Sequence, residues 1–224
     1  MRVAITGEKG FLGHHLTKYY THRGYEVVEL GRDYLNNIHL VAKCDFLIHA
    51  AGVNRDLTEQ DVYDKNVELA FRLIEKLNHY NIKVNIKFIS SIQETNNNMY
   101  GRAKVKAKAI LAEYCSTTNM LFETYALPNL FGTHGKPNYN SFINTFAYNI
   151  VNNIDCNYND TQIHICWVYD AIEVIDNMLS EYKLYKTTPS EVYYFLLGIY
   201  KKTIDFTHSS LTEKLEQILN YYKT

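Results

Sequence analysis

Proline and glycine are scarce in this chain, three and ten among 224 residues. So few breakers exclude a collagen-like repeat, a proline-rich stalk and a flexible glycine linker. Neither sign of charge is in excess: 23 basic side chains face 24 acidic ones, for a formal net charge of −1. That balance leaves no electrostatic footprint for nucleic acid. Long apolar runs are missing too. No stretch approaches the roughly 18 residues that mark a membrane span. Arg2 is followed by a short β-type run and glycines, not by the apolar core of a leader peptide. The expectation is therefore a cytoplasmic chain with no membrane segment. Cys44, Cys115, Cys156 and Cys166 lie far apart and lack metal-type spacing, which implies reduced thiols. The histidines, His14-His15 included, have no carboxylate or cysteine at ligand spacing, so no metal is expected. What the chain does have is apolar and aromatic mass, 46% hydrophobic residues with 20 tyrosines. That supports a substantial core in one domain, or in one domain plus a small lobe.

The stretch MRVAITGEKGFLG at the amino terminus organises the rest. Val3, Ala4 and Ile5 form a short β-type run. Gly7, Gly10 and Gly13 follow at spacings of three, and Phe11, Leu12, Leu16 and Tyr19 begin a helical pattern at once. A strand feeding a helix through such a turn aims backbone N–H groups and the positive end of the helix dipole at one point, where a pyrophosphate is stabilised. The spacing G-x-x-G-x-x-G differs from the common G-x-G-x-x-G fingerprint but serves the same needs: a tight turn, close backbone approach and close helix–strand packing. Gly7, Gly10, Phe11 and Leu12 are the residues expected against a dinucleotide. The alternative is a strand–helix turn with no ligand.

Beyond Gly24, residues 25–30 (YEVVEL) predict a second strand, and Gly31-Arg32-Asp33 follow. An acidic residue closing this strand would hydrogen-bond the ribose 2′-hydroxyl of NAD. Gly31 takes that place, and the Arg32 guanidinium next to it suits a 2′-phosphate. NADP(H) is therefore expected over NAD(H), which stays open if Asp33 holds the ribose and Arg32 is a solvated charge. Residues 40–43 form a short helix or loop. A strand at 45–50 (DFLIHA) ends in Ala50-Ala51-Gly52, small enough for a dinucleotide to approach the sheet. The apolar spacing at 61–80 predicts a helix, with Asn66 near its start facing the carboxyl end of the sheet. A strand at 84–90 runs into Ser90-Ser91. A helix spans about 99–115, and a strand spans 121–127. Alternation of strand and helix over 1–127 predicts an α/β, doubly wound parallel sheet. Over 128–224 the sequence predicts a turn at 128–132, a helix within 137–153, a strand at 163–168 and a helix at 169–182. A last helix opens on a Ser210/Glu213 capping box. No element is assigned between these last two helices.

Ser91, Tyr100 and Lys104 form the constellation that carries chemistry. Tyr100 and Lys104 are four apart and share one helical face. A tyrosine hydroxyl ordinarily titrates near pH 10, and an ammonium one turn away lowers that value. The Ser91 hydroxyl can hydrogen-bond a substrate carbonyl or alcohol oxygen. Together the three can move a proton at that oxygen while hydride moves to or from a nicotinamide. Ser90 is the alternative serine, with a strand-capping role as its other reading. An exposed Tyr/Lys pair with no chemistry is the bland reading of the helix face.

The combination TGEKGFLG (6–13), HAAG (49–52), Asn66, ISSIQ (89–93), YGRAK (100–104), PNLFG (128–132) and VYD (168–170) resembles an extended short-chain dehydrogenase/reductase of the nucleotide-sugar epimerase/dehydratase type. SSIQ, PNLFG and KPNYNSFINTFAY (136–148) are similar to the reductase domain of bifunctional bacterial capsule enzymes that make UDP-2-acetamido-2,6-dideoxy-L-talose. The resemblance implies one extended Rossmann-like domain over 1–224, with 1–127 mainly dinucleotide-binding and 128–224 a substrate lobe. It implies an NADPH-dependent reductase of a UDP-linked 4-keto-6-deoxy sugar in surface polysaccharide synthesis. Gly7, Gly10, Phe11, Leu12, Arg32, Ala50, Ala51, Gly52, Asn66, Tyr100, Lys104 and Pro128 would bind the cofactor. Ser91, Gln93, Asn129, Lys136, Asn138, Tyr139 and Asn140 would bind the sugar nucleotide. A polar loop with Asn140 or Ser141 as a helix cap is the other reading of 136–141. The resemblance also implies a homodimer through the helices at 61–80 and 100–115. In that family a cupin domain epimerises C3. Since this sequence ends at Thr224, the expectation is that it is one domain of a longer product or that a separate 3-epimerase acts. Ala126 and Leu127 stand where the family pattern has an arginine and an aromatic residue. An NAD-retaining 4-epimerase is the alternative, and so is a non-catalytic dinucleotide-binding protein. A 4,6-dehydratase fits less well, because Ile92-Gln93 rather than an acidic pair follow Ser91.

Overall fold

The computed structural model describes residues 1–31, 36–203 and 209–223. Arg32 and Asp33, the expected 2′-phosphate and ribose residues, lie outside the described residues. The chain divides into two compact units, Met1–Leu127 and Pro128–Thr224.

The first unit alternates strand and helix: β1 (Arg2–Thr6), α1 (Phe11–His22), β2 (Glu26–Leu30), β3 (Phe46–His49), α2 (Glu59–His79), β4 (Asn85–Ser91), α3 (Met99–Thr118) and β5 (Phe122–Leu127). Short 3-10 turns occupy Ile38–Lys43 and Ile92–Thr95. The strands form one parallel sheet in the order β2-β1-β3-β4-β5, the doubly wound α/β arrangement expected from the alternation. β1 and β3 are neighbours, paired Thr6 to His49 at their carboxyl ends. The chain crosses to one side after β1 and to the other after β3, so this pair is the switch point where such sheets bind ligands. β1, β3 and β4 are nearly wholly buried because helices cover the sheet, whereas the edge strands β2 and β5 keep polar residues. Ala4, Leu47, Ile86 and Phe88 are buried beneath Leu73 and Leu77 of α2 and Leu111 of α3. Each such fully buried Leu, Ile or Phe side chain contributes about 1.5–3 kcal/mol. A capping box of Thr58 and Asp61 starts α2, and Asn98 caps α3 through the Gly101 N–H.

The second unit contains β6 (Asn129–Phe131), α4 (Phe142–Val151), β7 (Ile163–Trp167), α5 (Val168–Ile175), β8 (Leu184–Thr187), α6 (Pro189–Lys201) and α7 (Ser210–Lys223). Its sheet runs β6-β7-β8, with the first pair parallel and the second antiparallel. Phe131, Phe146, Ile165, Trp167, Leu196 and Ile218 share its core.

Several expectations for this unit are corrected. The turn expected at 128–132 contains a strand, because Asn129–Phe131 pair with Ile165–Trp167. The helix expected over 169–182 stops at Ile175. Asn177 turns left-handed there, and the Asn177 and Met178 N–H groups close the end on Val174 and Glu173 carbonyls. β8 and α6 fill the interval to which no element was assigned, α6 starting on a capping box of Thr188 and Glu191 with Pro189 in its first turn. The cap of α7 is Ser209, not Ser210. The Ser209 hydroxyl accepts from the Thr212 N–H at 3.2 Å, while the Ser210 hydroxyl pairs with the Tyr185 hydroxyl at 2.9 Å.

Candidate active site

At the carboxyl end of β1 the chain turns through Gly7, whose φ of +74° lies in the left-handed region. A Cβ on Gly7 would stand 2.8 Å from the Ala51 nitrogen, and one on Gly13 would stand 2.0 Å from the Gly7 carbonyl oxygen. The turn therefore has room only for backbone. Gly10 donates to the Gly7 carbonyl at 2.9 Å and occupies the N-cap position of α1. No side chain caps this helix, and its first turn holds no acidic residue. The first N–H groups of α1, with Phe11 and Leu12 in that turn, suit a phosphate. The shape and donor set fit a dinucleotide pyrophosphate.

The end of β3 is locked to the same place. The Thr6 hydroxyl oxygen accepts from the Ala51 N–H at 3.1 Å and lies 2.9 Å from His49 Nδ1. His49 is buried and stacks on Phe88. Burial, with the Lys104 charge adding to it, pushes His49 down to about 3, so its ring is neutral at working pH. Asn66 fixes the loop that follows Gly52. Its Oδ1 accepts from the Val53 N–H at 3.1 Å, and its Nδ2 donates to the Val53 and Val62 carbonyls. Ala50, Ala51, Gly52 and Asn66 thus form one rigid edge beside the glycine turn.

Ser91 ends β4, and Tyr100 and Lys104 lie in the opening turns of α3, which packs on β4 and on the 3-10 turn after it. The hinge between them is tied at several points. Ser91 Oγ accepts from the Gln93 N–H at 3.2 Å, Gln93 Oε1 accepts from Asn98 Nδ2 at 3.1 Å, and Asn98 Oδ1 accepts from the Gly101 N–H at 2.7 Å. A Cβ on Gly101 would sit 2.0 Å from the Gln93 carbonyl oxygen, so the glycine lets the start of α3 lie against the 3-10 turn that follows β4. Gln93, expected on substrate, spends its side-chain oxygen on this tie. Ser90 is separated from Ser91 by its bond: its hydroxyl donates to Glu94.

Lys104 is 4% exposed and donates from Nζ to the Ile89 carbonyl at 3.1 Å. The same Nζ stands 5.2 Å from the Phe88 ring centroid and 5.7 Å from that of Tyr100. Burial pushes Lys104 down to about 8, while the charge of Glu94 pulls it up. The expectation that Lys104 would lower the Tyr100 pKa is corrected: burial pushes Tyr100 up to about 12. Lys104 donates to a strand carbonyl, and its ammonium faces the tyrosine ring. Tyr100 therefore holds its proton at neutral pH. Thr6 and His49 enter the sequence reading only inside the motifs TGEKGFLG and HAAG, without a role of their own, and Asn98 is passed over. Asn98 carried a signal, an asparagine directly before a helical run.

In the second unit Pro128 is buried, Asn129 Nδ2 donates to the His164 carbonyl at 3.2 Å, and Lys136 Nζ lies over the Tyr139 ring at 5.5 Å. Lys136, Asn138, Tyr139 and Asn140 are exposed on one stretch of turns. Asn138 is left-handed at φ +58°, and its N–H donates to the Thr145 hydroxyl. Ser141, not Asn140, caps α4 through the Asn144 N–H. Asn144 holds this stretch from beneath, donating to the Gly132 carbonyl at 2.9 Å and to the Tyr222 hydroxyl at 3.1 Å.

A curated reductase of Pseudomonas aeruginosa, UDP-2-acetamido-2,6-beta-L-arabino-hexul-4-ose reductase, is 34% identical over 189 residues, 80% of this chain and 51% of that protein. The chain thus spans about half the length of the curated relative it matches. The crystal structure of the capsular polysaccharide assembling protein CapF from Staphylococcus aureus superposes with a TM-score of 0.82 at 27% identity, covering 99% of this chain and 65% of that one. RMD from Pseudomonas aeruginosa, solved with NADPH, shares the fold with a TM-score of 0.83 at 16% identity over 99% of this chain and 98% of that one. The family model for NAD dependent epimerases/dehydratases matches residues 3–188, and this chain belongs to the NAD dependent epimerase/dehydratase family.

Proposed function

We propose that the protein is an NADPH-dependent reductase of a nucleotide-linked 4-keto-6-deoxy sugar of the UDP-N-acetylhexosamine type, in surface polysaccharide synthesis. The observation that carries this reading is the tied junction of β4 and α3, with Ser91 at the strand end and Tyr100 and buried Lys104 in the opening turns of the helix. The P. aeruginosa relative, by its name a reductase of a UDP-linked hexul-4-ose, supports the substrate class. In this reading residues 1–127 bind the dinucleotide and 128–224 form the substrate lobe. The glycine turn, Phe11, Leu12 and the edge Ala50–Gly52 hold the cofactor, with Asn66 bracing that edge and Pro128 beside the nicotinamide. Arg32 supports NADP(H), with NAD(H) usable.

A reduced nicotinamide, when bound, supplies the hydride. This chain's residues supply the rest. Ser91 hydrogen-bonds the C4 carbonyl oxygen. Tyr100, kept protonated by its burial, gives its proton to that oxygen as the C–O π bond opens to an alkoxide. The Lys104 ammonium offsets the phenolate charge left behind. One hydride and one proton convert the ketone to an alcohol. Asn129, Lys136, Asn138, Tyr139 and Asn140 hold the sugar nucleotide, the amides and hydroxyls on sugar oxygens and Lys136 on the diphosphate, and Gln93 keeps Ser91 in place. A homodimer through α2 and α3 is supported by exposed Phe71 and Val105 on those helices. A cupin-type 3-epimerase is the companion activity this reading implies.

The test supplies NADPH and a UDP-4-keto-6-deoxy-N-acetylhexosamine, follows loss of the reduced-nicotinamide absorbance, and identifies the product. Stoichiometric oxidation with formation of the 4-hydroxy sugar supports the reductase. Interconversion of C4 epimers without net NADPH loss would assign an epimerase instead.

A further inference from the structure

Glu94 does not belong to the trio, yet the structure gives it a defined place. It lies in the 3-10 turn Ile92–Thr95, three residues after Ser91. Its two oxygens are held from two different elements. Ser90 Oγ at the end of β4 donates to one, and Lys108 Nζ on α3 donates to the other at 2.8 Å. The carboxylate is mostly shielded, its side chain 15% exposed. Lys108 lies one turn on from Lys104, so the two ammonium groups share a helix face. Gripping Lys108 therefore brings the carboxylate onto the face that carries Lys104, and the Glu94 charge acts on Lys104.

We propose that Glu94 is a positioning residue of the reaction, a fixed carboxylate that Ser90 and Lys108 hold near Lys104, so that the ammonium stays charged and the end of β4 stays fastened to α3. The inference rests on the reading of Tyr100 and Lys104 as the reacting pair. The other groups around Lys104 cannot serve as its counter-charge. His49 on β3 is neutral and adds no negative charge. Tyr100, on the same helix, is protonated. Asn66 of α2, the Ile89 carbonyl of β4 and the backbone at Gly52 are uncharged. Among the described residues, Glu94 is the carboxylate that raises Lys104, whereas burial lowers it. A catalytic ammonium in a dry setting needs such a partner to stay protonated as pH rises.

The test compares wild type, Glu94→Gln and Lys108→Met by two pH profiles, kcat for the keto sugar and NADPH affinity by calorimetry. The second profile needs no sugar substrate, so it stays informative if the reductase reading fails. In wild type both fall on the alkaline side as Lys104 loses its proton. Glu94→Gln keeps the shape and removes the charge, and the expected result is an alkaline limb lower by about 1 pH unit. Lys108→Met loosens the carboxylate but keeps its charge, and the limb moves down by less than in Glu94→Gln. Ser90→Ala is the second variant if Glu94→Gln fails to fold, with a smaller downward move. A Glu94→Gln limb that coincides with wild type in both profiles overturns the proposal. So does an equal downward move in Glu94→Gln and Lys108→Met, which would reduce Glu94 to a structural brace.

Discussion

Lys104 in the first unit is buried and bonded to a strand carbonyl, whereas Lys136 in the second stands exposed over the ring of Tyr139. The same contrast runs through both units. Gly7, Ser91, Asn66 and Lys104 lie at strand ends or in the opening turns of helices, each tied to backbone by a named bond or by a backbone approach that leaves no room for a Cβ. Lys136, Asn138, Tyr139 and Asn140 lie on turns whose support comes from beneath, through Asn144 and Thr145. Groups that must act on a reacting atom need fixed geometry. Groups that take up a large polar ligand can settle when it arrives. The rigid unit should therefore govern turnover and cofactor binding, and the turn-rich unit should govern substrate affinity.

Substitutions can break that division or sharpen it. Gly13→Ala is expected to act most strongly. Its Cβ would meet the Gly7 carbonyl, so dinucleotide binding measured by calorimetry should be lost, with destabilisation of about 1–3 kcal/mol. Retained affinity would show that the turn has room to spare. Lys104→Met should remove most turnover yet stabilise the fold. Burial lowers Lys104 from the ordinary 10.5 to about 8. The charged form is thus disfavoured in the folded state, a penalty present below pH 8 and relieved as pH rises from there toward the unfolded value. The buried charge costs on the order of 3 kcal/mol at neutral pH, offset in part in the variant by the Ile89 carbonyl left without its donor, which leaves a modestly higher Tm whose advantage shrinks above pH 8.

Asn144→Ala would strand the Gly132 carbonyl and cost about 1–3 kcal/mol in thermal unfolding. It should raise KM more than it lowers kcat. A kcat effect of equal size would mean that the second unit also sets the reacting geometry. Lys136→Ala is expected to be the mildest, an exposed ion contact worth about 0.2–1 kcal/mol, read as a KM increase of at most about fivefold with kcat unchanged.

The same contrast decides how much was legible from residues alone. In the first unit β1 and β3 are apolar runs, α1 and α2 carry a 3.6-residue stripe, and glycines punctuate the turn, so the parallel sheet and the trio could be read from residues alone. The direction of the Tyr100 shift could not. Spacing placed Lys104 on the same face, but not its bond to Ile89 or the burial that dominates both groups. In the second unit, tyrosines serve as core, as hydroxyl partners and as surface alike: Tyr222 holds Asn144, Tyr185 holds Ser210, and Tyr194 is exposed. Period is blurred there. β6 and β8 are three and four residues long, too short for alternation to show, and each exists by pairing with β7. α6 did announce itself through T-P-S-E, a capping signal easily passed over among tyrosines.

The most direct measurement is the rate of NADPH oxidation with a UDP-4-keto-6-deoxy-N-acetylhexosamine for wild type beside Tyr100→Phe, with NADPH affinity measured on both proteins. Loss of the proton donor should lower kcat by about 10²–10⁴-fold while leaving cofactor affinity and Tm nearly unchanged. Turnover by Tyr100→Phe at the wild-type rate would contradict the assignment of Tyr100 as the acid, and with it the central claim.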